Sequence, residues 1–214
     1  MNDTKKKQVA HEAVKALEAL YPEAVCSLNH GGDPYRLLVM AVLSAQCTDA
    51  RVNIVAAPLC EKYPTPEKMA QSPEGELEEA IRSVGLFRSK AKNLRKACKT
   101  LVEDYGGKVP SEMRDLLRLG GVGRKVANLI RGDLYGLGGI VADTHCMRIS
   151  TRLGLSPKAD PLVTEKALDK LIPLDKQSDF CHRLVLFGRD VCTARSPKCT
   201  ACPLNTICAS KDKM

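Results

Sequence analysis

Four of the ten cysteines fall within the 17 positions from Cys192 to Cys208, as C-x6-C-x2-C-x5-C (Cys192, Cys199, Cys202, Cys208). Fortuitous clustering of this kind is improbable. Only one pair is C-x-x-C, whereas ordinary zinc ribbons use two such pairs. Four thiolates suit an iron–sulfur cubane as well as zinc, so the spacing leaves both metals open. The N-terminus, MNDTKKKQVAHEAVKAL, has no apolar h-region and does not read as a secretory signal. The cysteines are therefore read in a reducing compartment, as ligands and core residues rather than disulfides. Cys26, Cys47, Cys60, Cys98, Cys146 and Cys181 are scattered and read as small apolar core residues.

Helical signals dominate the remaining sequence. VAHEAVKALEALYP places Val9, Ala13, Val14, Leu17 and Leu20 at helical spacing. Asp33-Pro34 reads as an N-cap followed by proline at the first helical position, opening PYRLLVMAVLSAQ. That segment is apolar nearly all round and belongs in a core. Asp49, Thr65-Pro66, Ser72-Pro73, Ser89, Ser111, Arg124 and Asp143 read as further helix starts, and Gly106-Gly107 and Gly154 as stops. LVTEKALDKLI and SDFCHRLVLFGRDVC complete the set, and Pro58 predicts a kink. No segment alternates with period two. The expectation is an all-α chain of about ten short helices. At 214 residues it is large for one domain and small for two, which predicts one body with two lobes. No apolar run approaches the roughly 20 residues that span a bilayer, so no membrane role is expected.

Between EMRDLLRL and RKVANLIRGDL stands LGGVGRKVA, residues 119–127. It matches neither the P-loop pattern, because Val126 stands where Ser or Thr is needed, nor the dinucleotide pattern. Its context makes it a tight hairpin between two helices. Glycines there allow close backbone approach. The amides of Gly121, Val122 and Gly123 are then expected to face outward at the positive end of the next helix, where they favour an anion such as a DNA phosphate. A plain helix-to-helix turn would use glycine too. Lys125 follows in the first turn of that helix, where an ammonium gains nothing from the helix field but a nucleophilic amine does. Eighteen residues on, VADTHCMR puts Asp143 at another helix N-terminus, a position that suits a carboxylate and is also the commonest place for a plain capping aspartate. His145 reads equally as a packed or capping histidine.

A formal net charge of +8 favours a polyanionic partner. The absence of Trp and an aromatic content of 4% argue against base-stacking platforms for single strands. From Arg82 to Lys99 the chain carries seven Lys or Arg (Arg82, Arg88, Lys90, Lys92, Arg95, Lys96, Lys99) and no acid. Such a run is usually a solvated face, and it also suits DNA.

Taken together, LSAQCTD (43–49), GLFRSKA (85–91), GGVGRKVAN (120–128), VADTHCMR (141–148) and the cysteine tail resemble the endonuclease III family, the iron–sulfur-containing branch of the helix-hairpin-helix DNA glycosylase superfamily. The likeness covers nearly the whole chain. It implies a six-helix barrel domain over 27–137 with the helix-hairpin-helix at about 112–132, and a cluster domain from 1–26 plus 138–214 with its loop at 192–208. It implies a [4Fe-4S] cluster on Cys192, Cys199, Cys202 and Cys208. It also implies a bifunctional DNA N-glycosylase and AP lyase, a monomer in a bacterial-type cytoplasm at the nucleoid. Its substrate would be double-stranded DNA containing oxidised pyrimidines or abasic sites. Lys125 matches the family's nucleophile, Asp143 its catalytic carboxylate, and Gln46 and Leu86 its wedge positions. For Leu86 an ordinary core place is the plain alternative. The family hairpin usually reads L-P-G-V-G, and Gly120 in place of the proline predicts a looser turn. A monofunctional, adenine-excising relative would lack the hairpin lysine and usually carries a further C-terminal domain, so Lys125 and the end at Met214 argue against it. A non-catalytic DNA-binding or redox-sensing protein would not need both Lys125 and Asp143.

Overall fold

Eleven α-helices and three short 3-10 turns account for the regular structure, with no strand among the described residues. The structure is a computed structural model and describes residues 1–210. In chain order the helices are α1 (Asp3–Leu20), α2 (Pro34–Leu43), α3 (Asp49–Lys62), α4 (Pro66–Ala70), α5 (Glu76–Ala80), α6 (Phe87–Tyr105), α7 (Met113–Leu116), α8 (Arg124–Tyr135), α9 (Thr144–Arg152), α10 (Pro161–Asp169) and α11 (Gln177–Asp190). The chain divides into two compact units: Cys26–Tyr135, and Met1–Val25 with everything from Gly136 onward. No helix of the described residues is long and apolar enough to cross a membrane.

The Cys26–Tyr135 unit is built around α2. The Asp33 carboxylate accepts the amides of Tyr35 and Arg36, and Pro34 presets the first turn. Eight of the ten α2 residues are then buried, Tyr35 and Leu37 to Leu43. Helix α3 starts from Thr48, whose hydroxyl accepts the Arg51 amide, one residue before the expected Asp49. It remains helical through Pro58 to Lys62. The carbonyl that loses its donor there belongs to Ile54, an exposed residue that water can serve.

Three expected helix starts fall elsewhere, each for its own reason; α7 opens after Glu112, with no side-chain cap, and not at Ser111. Ser72 does not cap a helix, because its hydroxyl and carbonyl are taken by Arg95 Nε at 3.0 and 3.2 Å. Arg95 also donates to Pro73 O at 2.8 Å and grips the Glu78 carboxylate with both nitrogens, at 2.6 and 2.7 Å. Helix α5 begins after Gly75 instead, whose amide donates to Glu78. Ser89, the third candidate, lies inside α6. That helix starts after Leu86, which sits in the left-handed region (φ 58°) and provides no side-chain cap.

In the other unit, α1 buries Val9, Ala10, Ala13, Val14 and Leu17 in a core with Phe180, Leu184 and Phe187 of α11. Arg183 of α11 fixes the end of α1, donating to Tyr21 O at 3.2 Å and pairing with Glu18. Helix α9 stops where expected, with Gly154 in the left-handed region (φ 76°) and Leu155 N donating back to Ser150 O. Cys98, Cys146 and Cys181 are buried, while Cys26, Cys47 and Cys60 are half-buried.

The Arg95 grip holds the Glu78 carboxyl down to about 2 from an ordinary 4.5. A depressed acid contributes stability that is present above its unfolded pKa and lost as pH falls through its folded value. Glu78→Gln is therefore expected to cost about 1 kcal/mol near neutrality, about 2–4 °C in melting temperature for a chain of this size. It should also flatten the loss of stability between about pH 4.5 and 2, as melting curves of both proteins across that range would show.

Candidate functional site

The hairpin between α7 and α8 is a tight turn. The Val122 amide donates to Leu119 O at 3.2 Å, and Gly121 takes φ 77°, which glycine adopts without strain. This differs from the sequence expectation: Val122 is buried and its amide is spent closing the turn, so it is not an outward donor. The amides of Gly121 and Gly123 have no internal acceptor among the described residues, and both residues are exposed. Gly123 O accepts the Ala127 amide, so the turn runs directly into α8. Lys125 is exposed in the first turn of that helix.

The turn is packed closely against its neighbours. Gly120 is buried against the backbone of α6, where a Cβ would lie 2.5 Å from Asn93 O and 3.1 Å from Ala97 N. Gly121 is held less tightly, by side chains: a Cβ there would lie 3.1 Å from Asn93 Cβ and 3.2 Å from Val42 Cγ1. The two glycines thus lay the hairpin onto α6 and α2.

Gln46 and Leu86 are the two non-glycine residues with positive φ among the described residues, at 53° and 58°. Both are exposed; Leu86 shows 57% of its surface and is not a core residue. Backbone strain of this kind persists only where the surroundings over-determine it, and it concentrates at functional sites. Gln46 lies in the turn after α2, and Leu86 at the start of α6.

The basic run from Arg82 to Lys99 proves to be three populations. Arg95 is committed to Glu78 and the 72–73 carbonyls, and Lys90 is buried. Arg82 and Lys99 pair with Glu79 and Glu103 at the surface. Arg88, Lys92 and Lys96 are exposed and carry no carboxylate partner among the described residues. They are the residues of the run available to a polyanion.

In the other unit, Asp143 is the N-cap of α9, its Oδ1 accepting the Cys146 amide at 2.7 Å. It is half-buried, and its Oδ2 has no partner among the described residues. His145 is a packed histidine. Burial lowers its pKa, opposed by Asp143 and reinforced by Arg148 and Arg189. Its ring occupies the space left open by Gly188, where a Cβ would overlap Nδ1.

Helix α9 also carries two arginines, one helical turn apart, that the sequence reading did not single out. Arg148 donates to Gly188 O and Cys192 O at 3.1 and 2.9 Å. Arg152 donates to Cys192 Sγ at 3.2 Å, Thr193 O at 2.7 Å and Ala194 O at 3.0 Å. Their i,i+4 spacing behind Asp143 was the available signal, but only the fold shows that the start of the cysteine loop is their target.

Cys192, Cys199, Cys202 and Cys208 line one pocket, all half-buried and none in a disulfide. Two 3-10 turns, Cys199–Ala201 and Asn205–Ile207, bring the last three inward. A guanidinium directed at Cys192 Sγ suits a sulfur carrying thiolate charge, as a metal-bound cysteine does. Four convergent thiols with a cationic donor beside them fit an iron–sulfur cluster.

The comparisons agree with this geometry. Residues 39–174 match the HhH-GPD superfamily base excision DNA repair proteins, and residues 192–208 match the iron-sulfur binding domain of endonuclease III. The chain is 46% identical over 206 residues to the endonuclease III of Synechocystis sp. (strain ATCC 27184 / PCC 6803 / Kazusa), covering 96% of this chain and 94% of that protein. It is 44% identical over 195 residues to that of Bacillus subtilis (strain 168), covering 91% and 89%. A solved structure of a trapped endonuclease III–DNA covalent intermediate superimposes with a TM-score of 0.88 at 44% identity, over 95% of both chains. The chain belongs to the HhH-GPD superfamily of base excision DNA repair proteins and, within it, to the endonuclease III family. It is a DNA glycosylase with AP lyase activity, and its 192–208 loop holds a [4Fe-4S] cluster.

The contact at Gly120 makes a prediction that opposes the family preference for proline. Gly120→Pro, and Gly120→Ala equally, bring a Cβ into the α6 backbone and should destabilise the protein by about 1–3 kcal/mol. Urea unfolding measures this, and wild-type stability in Gly120→Pro would mean that α6 does not pack as described.

Proposed function

We propose that the chain removes oxidised pyrimidines from duplex DNA as a monomer in the bacterial cytoplasm, using Lys125 as nucleophile and Asp143 as catalytic carboxylate. The observation that carries this reading is the hairpin: two uncommitted glycine amides, with an exposed lysine in the helix turn directly behind them. The Gly121 and Gly123 amides anchor a backbone phosphate, and Val122 is the buried pin of the turn. Arg88, Lys92 and Lys96 add attraction that carries no sequence information. Gln46 and Leu86 act as the wedge that fills the space left when the damaged base leaves the stack, a step that costs a few kcal/mol. We assign the Cys26–Tyr135 unit to the barrel domain and the remainder to the cluster domain.

The free amine of Lys125 attacks C1′ of the deoxyribose. The C1′–N bond breaks, its electron pair leaves with the base, and the base takes up a proton. The amine loses a proton, the C1′–O4′ bond breaks with its electron pair on O4′, which takes up a proton, and a protonated Schiff base forms at C1′. Removal of a C2′ proton then expels the 3′ phosphate by β-elimination, and water releases the enzyme. Positive charge develops on the sugar during the first step, and the Asp143 carboxylate stabilises it and assists proton transfer. When bound, the cluster cross-links the 192–208 loop through four thiolates and supplies a redox-active centre. Arg148 and Arg152 tie that loop to the helix that Asp143 caps.

Asp143→Asn separates catalysis from capping. Asparagine caps nearly as well as aspartate, so the melting temperature should barely move. Loss of the negative charge should cost on the order of 3 kcal/mol, roughly a hundredfold in base excision. Nicking of a preformed abasic site should suffer less, because the base is already gone. Single-turnover rates on both substrates give the answer, and an unchanged excision rate would leave Asp143 as a cap alone.

A further inference from the structure

The end of α2 leaves a carbonyl to be satisfied. Ser44 N still donates to Met40 O at 2.9 Å, but Cys47 N, which would serve Leu43 O in a continuing helix, turns to Ser44 O at 3.1 Å. That turn holds Gln46 at φ 53°. Leu43 O is met from elsewhere in the chain: the Lys90 ammonium donates to it at 2.7 Å, across 47 positions of sequence. Lys90 is 3% exposed, and burial lowers its pKa. A lysine is a poor residue to bury for packing alone, and a cation at a helix C-terminus is a favourable one.

The same residue belongs to the first turn of α6. Its backbone amide donates to Leu86 O at 3.0 Å, closing the turn that opens at Leu86. The two segments also meet directly, since a Cβ on Gly85 would lie 3.4 Å from Gln46 O. Lys90 therefore joins the α2 end that leads into Gln46 to the α6 start that carries Leu86. These are the two strained non-glycine positions among the described residues. Nothing in the basic sequence run distinguishes Lys90 from its neighbours, which face solvent.

We propose that Lys90 is a positioning residue that locks the Gln46 turn onto the start of α6, so that Gln46 and Leu86 enter the duplex as one preset wedge. The proposal rests on the wedge role assigned to those two residues above. Lys90 touches neither DNA nor the reacting atoms. It acts by holding two backbone segments in conformations they would otherwise leave, so the cost of ordering them is not met again at each flipping event.

The test compares two substrates. A duplex with a damaged base needs a wedge; a single-stranded abasic oligonucleotide has no stack to fill. The measured quantity is the single-turnover excision rate on the duplex divided by the nicking rate on the single strand, well below the melting temperature. Lys90→Met keeps the buried stem and removes the ammonium. The ratio should fall about tenfold, the scale of one lost charge-assisted hydrogen bond. Equal losses on both substrates, leaving the ratio at its wild-type value, would mean a general structural role and overturn the proposal. Gln46→Ala and Leu86→Ala run beside it. If both lower the ratio and Lys90→Met does not, the Lys90 proposal alone fails. If neither lowers it, the wedge reading fails, and this proposal with it. Should Lys90→Met not fold, Lys90→Gln replaces it. Its amide reaches about one bond less far, so the ratio should again fall, and a folded Lys90→Gln with the wild-type ratio overturns the proposal.

Discussion

Carbonyl groups at helix ends and in tight loops need donors, and in this protein buried and half-buried basic side chains provide them. Lys90 serves the end of α2, Arg95 the 72–73 turn, Arg183 the end of α1, and Arg148 and Arg152 the carbonyls that open the cysteine loop. Each also ties an irregular segment to a helix. The segments held in this way carry Gln46, the approach to α5, the end of α1 and Cys192. The formal charge of +8 therefore overstates what faces a polyanion. Several of those charges are structural donors whose neutral replacements would leave buried oxygens unmatched.

The glycines of the hairpin are the counterpart of these donors. Gly120 and Gly121 bring the turn against α6 and α2, so the amides of Gly121 and Gly123 are held by packing rather than by the turn alone. Helix α6 thereby supports both the hairpin, through Asn93 and Ala97, and the Gln46 turn, through Lys90. Positive φ at two exposed non-glycine residues is affordable on such a scaffold, where a free loop would relax.

Much of this was legible in the sequence. Asp33-Pro34, Thr65-Pro66, Asp143, Gly106-Gly107 and Gly154 act through their own backbone or side chain within a few residues, so local reading placed them. Ser72 and Ser89 misled because a cap is local only if nothing distant claims the hydroxyl or starts the helix earlier; Ser111 misled by one residue, since α7 opens after Glu112 without a capping side chain. Arg95 claims Ser72, and a left-handed Leu86 starts α6 without any capping side chain. Val122 was read as a donor because spacing does not show which amide closes a turn. Lys90, Arg148 and Arg152 were invisible in their roles for the same reason: their partners lie 40 or more positions away. The cysteine spacing limited the metal to two kinds, and the family likeness pointed to iron and sulfur.

The proposed reaction turns on covalent attachment of the amine behind the hairpin to the sugar. Borohydride reduction during turnover on abasic duplex DNA freezes a Schiff base, and proteolysis with mass spectrometry locates it. A reduced adduct is expected on Lys125, abolished in Lys125→Ala while that variant still binds lesion-containing duplex. An adduct on any other amine, or strand nicking by Lys125→Ala at the wild-type rate, would contradict it.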